Sequence, residues 1–311
     1  MAASGGGNGV VVVFDFDKTI IDCDSDNWVV DALGATARFD DLLRRLPWNS
    51  AIVSLSPPPP LDAMMGELHE EGRTVEEVAA SLRAAPLSPR VAAAVETAHA
   101  LGCELRVLSD ANAFFIDAVL DHHGLASYFS AVDTNPATVD ADGRLRILPY
   151  HDFPGHGCPL ATCPPNMCKG KVMERIIDEI SCGGGGGGAP AARRRVVYLG
   201  DGRGDYCPSL KLTMMDYVMP RKGYPVWDLI AGDRAAVRAD VREWADFEDL
   251  EAVLLGIVAE CLTSEHDDAD DGGEAVVVSP AAPPPAECRA LPVTLASGQE
   301  AILPKAVHVP N

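Results

Sequence analysis

Short, nearly continuous runs of apolar residues recur along the chain. They are rich in β-branched, aromatic or leucine side chains and cover residues 10–14, 105–108, 196–199 and 217–219. Such runs are typical of strands that are buried on both faces of a parallel sheet. Helical stretches lie between them, at residues 89–101 and 112–122. The alternation predicts an α/β fold built on a doubly wound, mostly parallel, Rossmann-like sheet.

One long segment, residues 25–88, interrupts this alternation. Its apolar residues recur at helical spacing, and prolines at 57–60 and 86 punctuate it. This pattern predicts a small helical domain inserted after the first strand, beside the sheet. The α/β core is then expected to comprise residues 10–24 and 89–262.

Three other segments have distinctive compositions. Residues 1–9 are mostly Ala, Ser, Gly and Asn, which predicts a flexible tail. Residues 134–150 fit a β-hairpin with Asp142 and Gly143 at its turn. From residue 263 the chain becomes acidic and then rich in Pro and Ala, so 263–311 is expected to be a disordered tail.

Charge and cysteine content narrow the function classes. The 311 residues include 25 Lys and Arg against 46 Asp and Glu, a net charge of −21. This balance argues against a nucleic-acid binder and against docking on an anionic membrane, but a divalent cation would still permit a small phosphate substrate. No secretory signal is expected at the start of the chain, and the odd number of cysteines, nine, fits free thiols in a reducing compartment. We therefore expect a cytoplasmic protein.

Two aspartates, Asp15 and Asp17, follow the first predicted strand directly. Ligands of open α/β sheets bind outside the carboxyl ends of the strands. If the chain turns there, one carboxylate can hold a cation and attack, while the other moves protons. The competing interpretation is an aspartate that only caps the next helix.

Polar residues that could bind phosphate or a cation also follow two other predicted strands and precede one predicted helix. Ser109 ends a buried strand before a helix, where a hydroxyl can bind phosphate or cap the helix. Lys169 precedes the helical stretch 172–180 and could neutralise phosphate, although a solvated surface lysine is the more common case. Asp201 and Asp205 follow the strand at 196–199 among glycines; they could supply oxygen ligands to Mg²⁺ or form a plain turn.

With h for an apolar residue and x for any residue, the motifs occur along the chain in the order hhhhDxDxT, hhhS, Lys and hhhGDGxxD. In this order they resemble those of the haloacid dehalogenase-like phosphohydrolase superfamily over about residues 10–262. Longer segments resemble its phosphoethanolamine/phosphocholine phosphatase branch, whose plant members are also described as pyrophosphatase-like or thiamine-phosphate-phosphatase-like. These segments are FDFDKTIIDCDSDNWVV, LPWNS, SDAN, HGCPLATCPPNMCKG and GDGRGDYCPSLKL. In this branch, the insertion after the first motif is a small helical cap over the site.

The resemblance implies a role for each matching residue. Asp15 matches the nucleophile that forms an aspartyl-phosphate, and Asp17 the general acid and base. Thr19 matches a residue that steadies this loop within the phosphate-binding set, whose other members are Ser109 and Lys169. Mg²⁺ would be held by the Asp15 carboxylate, the Asp17 main-chain carbonyl and the Asp201 carboxylate, with Asp205 behind them.

The resemblance also implies acidic contacts to a cationic head group at Asp26 and Asp110. Phosphoethanolamine and then phosphocholine are the expected substrates, and Trp28 could add a cation–π contact. Asp26 could instead be a helix N-cap and Trp28 a core residue. Thiamine monophosphate and pyrophosphate are rival substrates, the latter ranked lower because it carries no cation. A catalytically silent binding protein and a phosphotransferase are the functions that compete with hydrolysis.

Cysteines cluster ahead of Lys169, at Cys158, Cys163 and Cys168, with His151 and His156 nearby. They could be zinc ligands, but the C-x4-C-x4-C spacing lacks the tight C-x2-C of zinc knuckles. Free thiols on a loop stiffened by proline are the favoured interpretation.

Overall fold

A computed structural model describes residues 9–45, 60–151, 155–182 and 193–270. Six strands form a parallel sheet in the order β3-β2-β1-β6-β7-β8, and two more form a separate antiparallel pair, β4-β5. The strands are β1 (Val10–Phe14), β2 (Glu104–Asn112), β3 (Phe129–Asn135), β4 (Ala137–Val139), β5 (Leu145–Ile147), β6 (Arg195–Gly200), β7 (Tyr217–Pro220) and β8 (Asp240–Val241). The predicted doubly wound α/β sheet is confirmed.

The first strand occupies the centre of the sheet, between β2 and β6, and all five of its residues are fully buried. Val10, Val12 and Phe14 belong to the apolar core on one face, and Val11 and Val13 to the core on the other. A strand covered on both faces needs apolar side chains at every position, which explains the unbroken run VVVVF. Loops that follow β1 and its two neighbours therefore meet at one edge of the sheet.

Helices cover the sheet. Four lie within residues 25–88, and the apolar residues of all four join the core on the Val10 face. The helices are α1 (Ser25–Ala32), α2 (Thr36–Arg45), α3 (Pro60–Glu70), α4 (Val75–Arg83), α5 (Pro89–Ala100), α6 (Ala113–His122), α7 (Lys169–Cys182), α8 (Tyr206–Ser209), α9 (Pro225–Gly232) and α10 (Phe247–Asp270). The LPWNS motif, at 46–50, lies outside the described residues.

The predicted hairpin is confirmed as β4 and β5, with Gly143 at a positive φ of 82° in the turn. It binds α3 through Asp62, which is buried. The carboxylate of Asp62 accepts hydrogen bonds from Arg144 (3.0 Å), Arg146 (3.1 Å) and the amide of Ile147 (2.9 Å). The hairpin and the inserted helices are thus joined by a buried ionic contact.

The last helix corrects the predicted start of the acidic tail. Helix α10 continues to Asp270, so residues 263–270 are helical, although their composition indicated disorder. The apolar residues at 250, 254, 257, 258 and 261 pack on the core, and a helix stabilised in this way can extend into a segment of unfavourable composition. Residues 271–311 and 1–8 lie outside the described residues, and their disorder stays a prediction. None of the described helices is long and apolar enough to cross a membrane.

Candidate active site

A cavity of about 470 Å³ opens at the carboxyl edge of the central strands. It collects side chains from the loops after β1 and β6, from the end of β2 and from the start of α7. Most of the candidate residues named from the sequence line it: Asp15, Asp17, Asp26, Asp110, Lys169 and Asp201. Segments far apart in the chain therefore meet at one site.

The loop after β1 folds back sharply and brings Asp17 over this edge. The carbonyl of Phe16 accepts hydrogen bonds from the amides of Thr19 (3.3 Å), Ile20 (2.8 Å) and Ile21 (3.2 Å), and Lys18 takes a positive φ of 53°. The two carboxylate oxygens of Asp17 accept hydrogen bonds from the amide (3.0 Å) and hydroxyl (3.2 Å) of Ser25.

The proton affinity of Asp17 suits proton transfer. Burial and then the nearby Asp24 raise the pKa of Asp17 well above its usual value, and outweigh the hydrogen bonds from Ser25 that lower it. A carboxyl group with a raised pKa can hold a proton near neutral pH and donate it to a leaving group.

Lys169 lies at the centre of a ring of carboxylates. Its Nζ is 2.9 Å from Asp15 Oδ1, 3.2 Å from Asp110 Oδ1 and 2.8 Å from Asp205 Oδ1, and its side chain is 1% exposed. Burial by itself would lower the pKa of Lys169, but Asp110, Asp15 and Asp205 outweigh burial and raise it. The lysine is therefore a fixed positive charge beside Asp15.

Asp205 organises the floor of the cavity. Oδ1 accepts hydrogen bonds from Lys169 Nζ (2.8 Å) and the Tyr198 hydroxyl (2.6 Å), and Oδ2 from the amides of Asp201 (3.0 Å) and Gly202 (2.7 Å). A Cβ on Gly200 would lie 2.5 Å from the Asp205 carboxyl carbon, so this contact requires glycine. With all four hydrogen bonds made inside the protein, Asp205 is suited to hold Lys169 and the 201–202 loop.

The floor fits a divalent cation. Carboxylate oxygens of Asp15, Asp201 and Asp205 lie within 4.8 Å of one another, and all three residues are buried. Burial and then Asp205 raise the pKa of Asp15 well above its usual value and that of Asp201 to about 7. Repulsion between the carboxylates is the second cause of these shifts, and a hard cation such as Mg²⁺ would offset it. Asp15 and Asp201 are the residues placed to hold it.

The mouth of the cavity is also acidic. Asp24, and not Asp26, caps α1 by accepting a hydrogen bond from the amide of Asn27 at 2.9 Å. Asp26 lines the cavity, and its buried Oδ1 has no hydrogen-bond partner among the described residues. Burial and then Asp24 raise the pKa of Asp26 well above its usual value. The N-cap interpretation of Asp26 is thus wrong.

Four residues named from the sequence do not line the cavity: Asp205, which lies behind the lining, and Ser109, Thr19 and Trp28. Ser109 Oγ accepts a hydrogen bond from the amide of Ala111 (3.3 Å), so Ser109 shapes the end of β2. Thr19 is fully buried, and its Oγ1 has no hydrogen-bond partner in the described part of the chain. The indole of Trp28 donates to the Ser81 carbonyl (2.8 Å) and packs on the core, which favours the core interpretation of Trp28 over the cation–π contact.

Two supporting residues were not anticipated. Asn135, at the end of β3, donates to the carbonyls of Asp110 (2.6 Å) and Ala111 (2.7 Å). Arg221 donates to the Lys18 carbonyl (2.7 Å), and its guanidinium carbon lies 4.5 Å from the ring centre of Tyr224. Asn135 thus fixes the end of β2, which carries Asp110, and Arg221 fixes the loop that carries Asp17. A sequence signal, a polar residue shortly after a predicted strand, was present for Arg221 but not for Asn135, because the sequence did not predict β3.

Comparisons with known proteins agree with this geometry. The "Putative Phosphatase" family model matches residues 10–258. Inorganic pyrophosphatase 2 of Arabidopsis thaliana is 50% identical over 85% of this chain and 89% of its own. A thiamine phosphate phosphatase-like protein of Arabidopsis thaliana is 42% identical over 83% and 98%. The human phosphoethanolamine/phosphocholine phosphatase is 31% identical over 84% and 93%.

The fold is also shared with solved structures. A HAD family hydrolase from Salmonella enterica serovar Typhi superposes with a TM-score of 0.52, at 14% identity, over 79% of this chain and 71% of that one. This likeness shows the fold, and the family match shows the class of enzyme. The chain therefore belongs to the Putative Phosphatase family, a family of phosphatases with the haloacid dehalogenase fold.

Proposed function

We propose that this phosphatase hydrolyses small phosphate compounds through a phosphorylated Asp15, with Mg²⁺ as cofactor. The observation that carries the proposal is the position of Asp15, buried at the end of the central strand with Lys169 Nζ 2.9 Å from its Oδ1 and Asp201 close by. Mg²⁺, when held by Asp15 and Asp201, would reduce the repulsion between a carboxylate and an anionic phosphate.

The two aspartates then divide the chemistry. A carboxylate oxygen of Asp15 attacks phosphorus, which forms the acyl-phosphate bond as the bond to the leaving group breaks. Asp17 gives its proton to the leaving oxygen, then takes a proton from the water that attacks the phosphorylated Asp15. Release of inorganic phosphate restores both carboxyl groups.

Lys169 and Asp205 supply the fixed charges for these steps. Lys169 is placed to attract the phosphate oxygens and to stabilise charge that develops on them. Asp205 keeps the lysine in place through the 2.8 Å contact and is itself held by Tyr198 and two backbone amides. Little rearrangement is needed when phosphate arrives, which is the property that makes such groups effective.

For the substrate we propose a phosphate ester that bears an amine, phosphoethanolamine first and phosphocholine second. Its support is the mouth, where Asp24, Asp26 and Asp110 line the cavity and one carboxylate oxygen of Asp26 has no partner among the described residues. A buried, unpaired carboxylate favours a positively charged ligand. Thiamine monophosphate also carries a cation and fits the same reasoning.

Inorganic pyrophosphate is the second candidate. It is favoured by the relative at 50% identity, which is named a pyrophosphatase. Lys18 and Arg203 also line the cavity and could meet a second phosphate group. A catalytically silent member of the family is disfavoured, because Asp15, Asp17, Lys169 and Asp201 are all in place. The free thiols that the sequence predicts fit a cytoplasmic location.

A kinetic panel tests the proposal. Phosphate release is measured from phosphoethanolamine, phosphocholine, thiamine monophosphate, glycerol phosphate and pyrophosphate, with Mg²⁺ present and after gel filtration into metal-free buffer. We expect Mg²⁺-dependent turnover with the highest kcat/KM for the amine-bearing esters. A highest kcat/KM for pyrophosphate would favour the second candidate, and no turnover of any compound would overturn both.

Addition of acceptor alcohols to the same panel separates hydrolysis from phosphoryl transfer. A hydrolase releases one phosphate for each leaving group whatever the alcohol concentration. Formation of a new ester in proportion to the alcohol would identify a phosphotransferase.

A further inference from the structure

Four cysteines from two distant parts of the chain meet beside the active site. Cys158, Cys163 and Cys168 precede α7, and Cys207 lies in α8. The Sγ–Sγ distances are 3.6 Å from Cys163 to Cys158, 3.7 Å from Cys163 to Cys168, 3.7 Å from Cys168 to Cys207 and 3.8 Å from Cys158 to Cys207. All four sulfurs lie within 4.8 Å of one another.

These distances match a tetrahedral metal site. A disulfide needs sulfurs about 2.05 Å apart, so no pair in this cluster is bonded. Four thiolates at the usual Zn–S distance of about 2.3 Å lie about 3.8 Å apart at the corners of a tetrahedron. We propose that Cys158, Cys163, Cys168 and Cys207 bind a structural zinc ion. Zinc is preferred over Mg²⁺ because thiolates are soft ligands.

The surroundings are arranged to bring the sulfurs together. A Cβ on Gly170 would lie 2.3 Å from Cys207 Sγ, so glycine is what permits α8 to approach the start of α7. Cys168 directly precedes α7, where the backbone amides of a helix N-terminus favour a thiolate. Two independent features of the backbone thus favour the cluster.

The nearby histidine organises the loop and is not a ligand. His156 Nδ1 accepts a hydrogen bond from the amide of Cys158 (3.0 Å), and its Nε2 lies 2.9 Å from the carbonyl of Pro164. Both ring nitrogens are therefore engaged with the backbone that carries Cys158 and Cys163. The closed set of four sulfurs is typical of structural zinc, since a catalytic zinc keeps a position open.

The site would join the two halves of the catalytic floor. Cys168 is adjacent in sequence to Lys169, and Cys207 is two residues after Asp205. The loop between the first three cysteines also contributes the wall of the cavity at residues 161–166. A zinc ion would hold Lys169, Asp205 and this wall in fixed positions relative to one another without contacting the substrate.

Metal analysis of the full chain tests the proposal. The protein is expressed with zinc supplied, purified without chelators or a metal-binding tag, and gel-filtered; zinc, iron and magnesium are then measured by mass spectrometry. We expect about one zinc per chain in the wild type and in Cys103→Ser, a buried cysteine outside the cluster. Cys163→Ser should reduce the zinc content at least fivefold, and Cys163→His, which restores a nitrogen ligand, should retain most of it.

Cobalt spectroscopy of the wild-type protein provides a test that does not require any variant to fold. Replacement of zinc by Co²⁺ in the wild type should give the intense visible bands of tetrahedral cobalt bound to four thiolates. Less than 0.1 zinc per chain, one iron in its place, zinc unaffected by Cys163→Ser, or a disulfide within the cluster in the non-reduced protein would each overturn the proposal. None of these measurements involves phosphate turnover, so they are independent of the proposed activity.

Discussion

The floor and the mouth of the cavity both carry aspartates, but Asp205 on the floor and Asp26 at the mouth differ in how far the protein satisfies their carboxylates. On the floor, Asp15 and Asp205 contact Lys169, and Asp205 makes four hydrogen bonds inside the protein. At the mouth, Asp26 has a buried oxygen with no partner in the described residues. Internal partners thus fix Lys169 and Asp205 on the floor, whereas one oxygen of Asp26 at the mouth would be paired only by a ligand.

In the proposed mechanism, this difference would separate the residues that carry out the reaction from those that select the substrate. The fixed ammonium of Lys169 can interact with any phosphoryl group, because it would contact only the phosphate oxygens, which every substrate shares. The carboxylate of Asp26, which has an unpaired oxygen, would instead interact with the group that is attached to the phosphate. Relatives with the same floor can therefore differ in substrate through changes at the mouth.

The largest effect is expected for Asp15→Asn on the floor. An amide cannot form the acyl-phosphate, so we expect kcat to fall at least about 1,000-fold for every substrate. The protein should remain folded, because Lys169 keeps Asp110 and Asp205 as partners. Steady-state kinetics and thermal unfolding check both points; a loss for one substrate alone would contradict the assignment of Asp15 as nucleophile.

A smaller and selective effect is expected for Asp26→Asn at the mouth. Loss of one charge near a substrate ammonium should lower kcat/KM for phosphoethanolamine by roughly tenfold, about 1.4 kcal/mol. Pyrophosphate turnover should change less than about twofold.

Asp110→Asn is the matched comparison, because Asp110 also contacts Lys169 at 3.2 Å. We expect this variant to impair both substrates, since it alters the floor as well as the mouth. Equal losses on both substrates in Asp26→Asn would remove the argument for an amine-bearing substrate.

The smallest effect concerns pH. Because burial and Asp24 raise the pKa of Asp26, the group is neutral at low pH and becomes anionic as the pH rises through that raised value, above its usual 3.8. The kcat/KM ratio of phosphocholine to glycerol phosphate should therefore increase with pH, by at most the tenfold of the mutation. The choline charge does not titrate, so the trend reports the protein. In Asp26→Asn the ratio should be flat, and a flat wild-type ratio would contradict this role of Asp26.

The sequence was sufficient to predict those residues of the site that lie directly after a strand. Asp15 and Asp201 each come directly after a buried apolar run, and parallel strands bring their carboxyl ends to one edge. The predicted strands, the hairpin and the place of Lys169 before a helix were found for the same local reason. Short-range patterns therefore predicted four of the six strands of the sheet and most of the residues that line the cavity.

Contacts between segments that are distant in sequence could not be predicted from such local patterns. Cys207 lies 39 residues after Cys168 and carries no spacing signal, so only the folded chain shows it beside the other three cysteines. The position of Trp28 was decided by its contact with Ser81 of α4, and the extension of α10 to Asp270 was not indicated by the acidic composition after residue 263. Strand β3, with its polar residues, was missed because it lies at the sheet edge and lacks an apolar run.

The contact of Asp62 with the hairpin also bears on how molecules reach the cavity. Separation of α3 from β5 would strip a buried carboxylate of two arginines and a backbone amide at once. The loss of these three contacts disfavours that motion at equilibrium. Substrate and phosphate are therefore expected to enter and leave through the existing opening of the cavity, whose size would then limit which molecules reach Asp15.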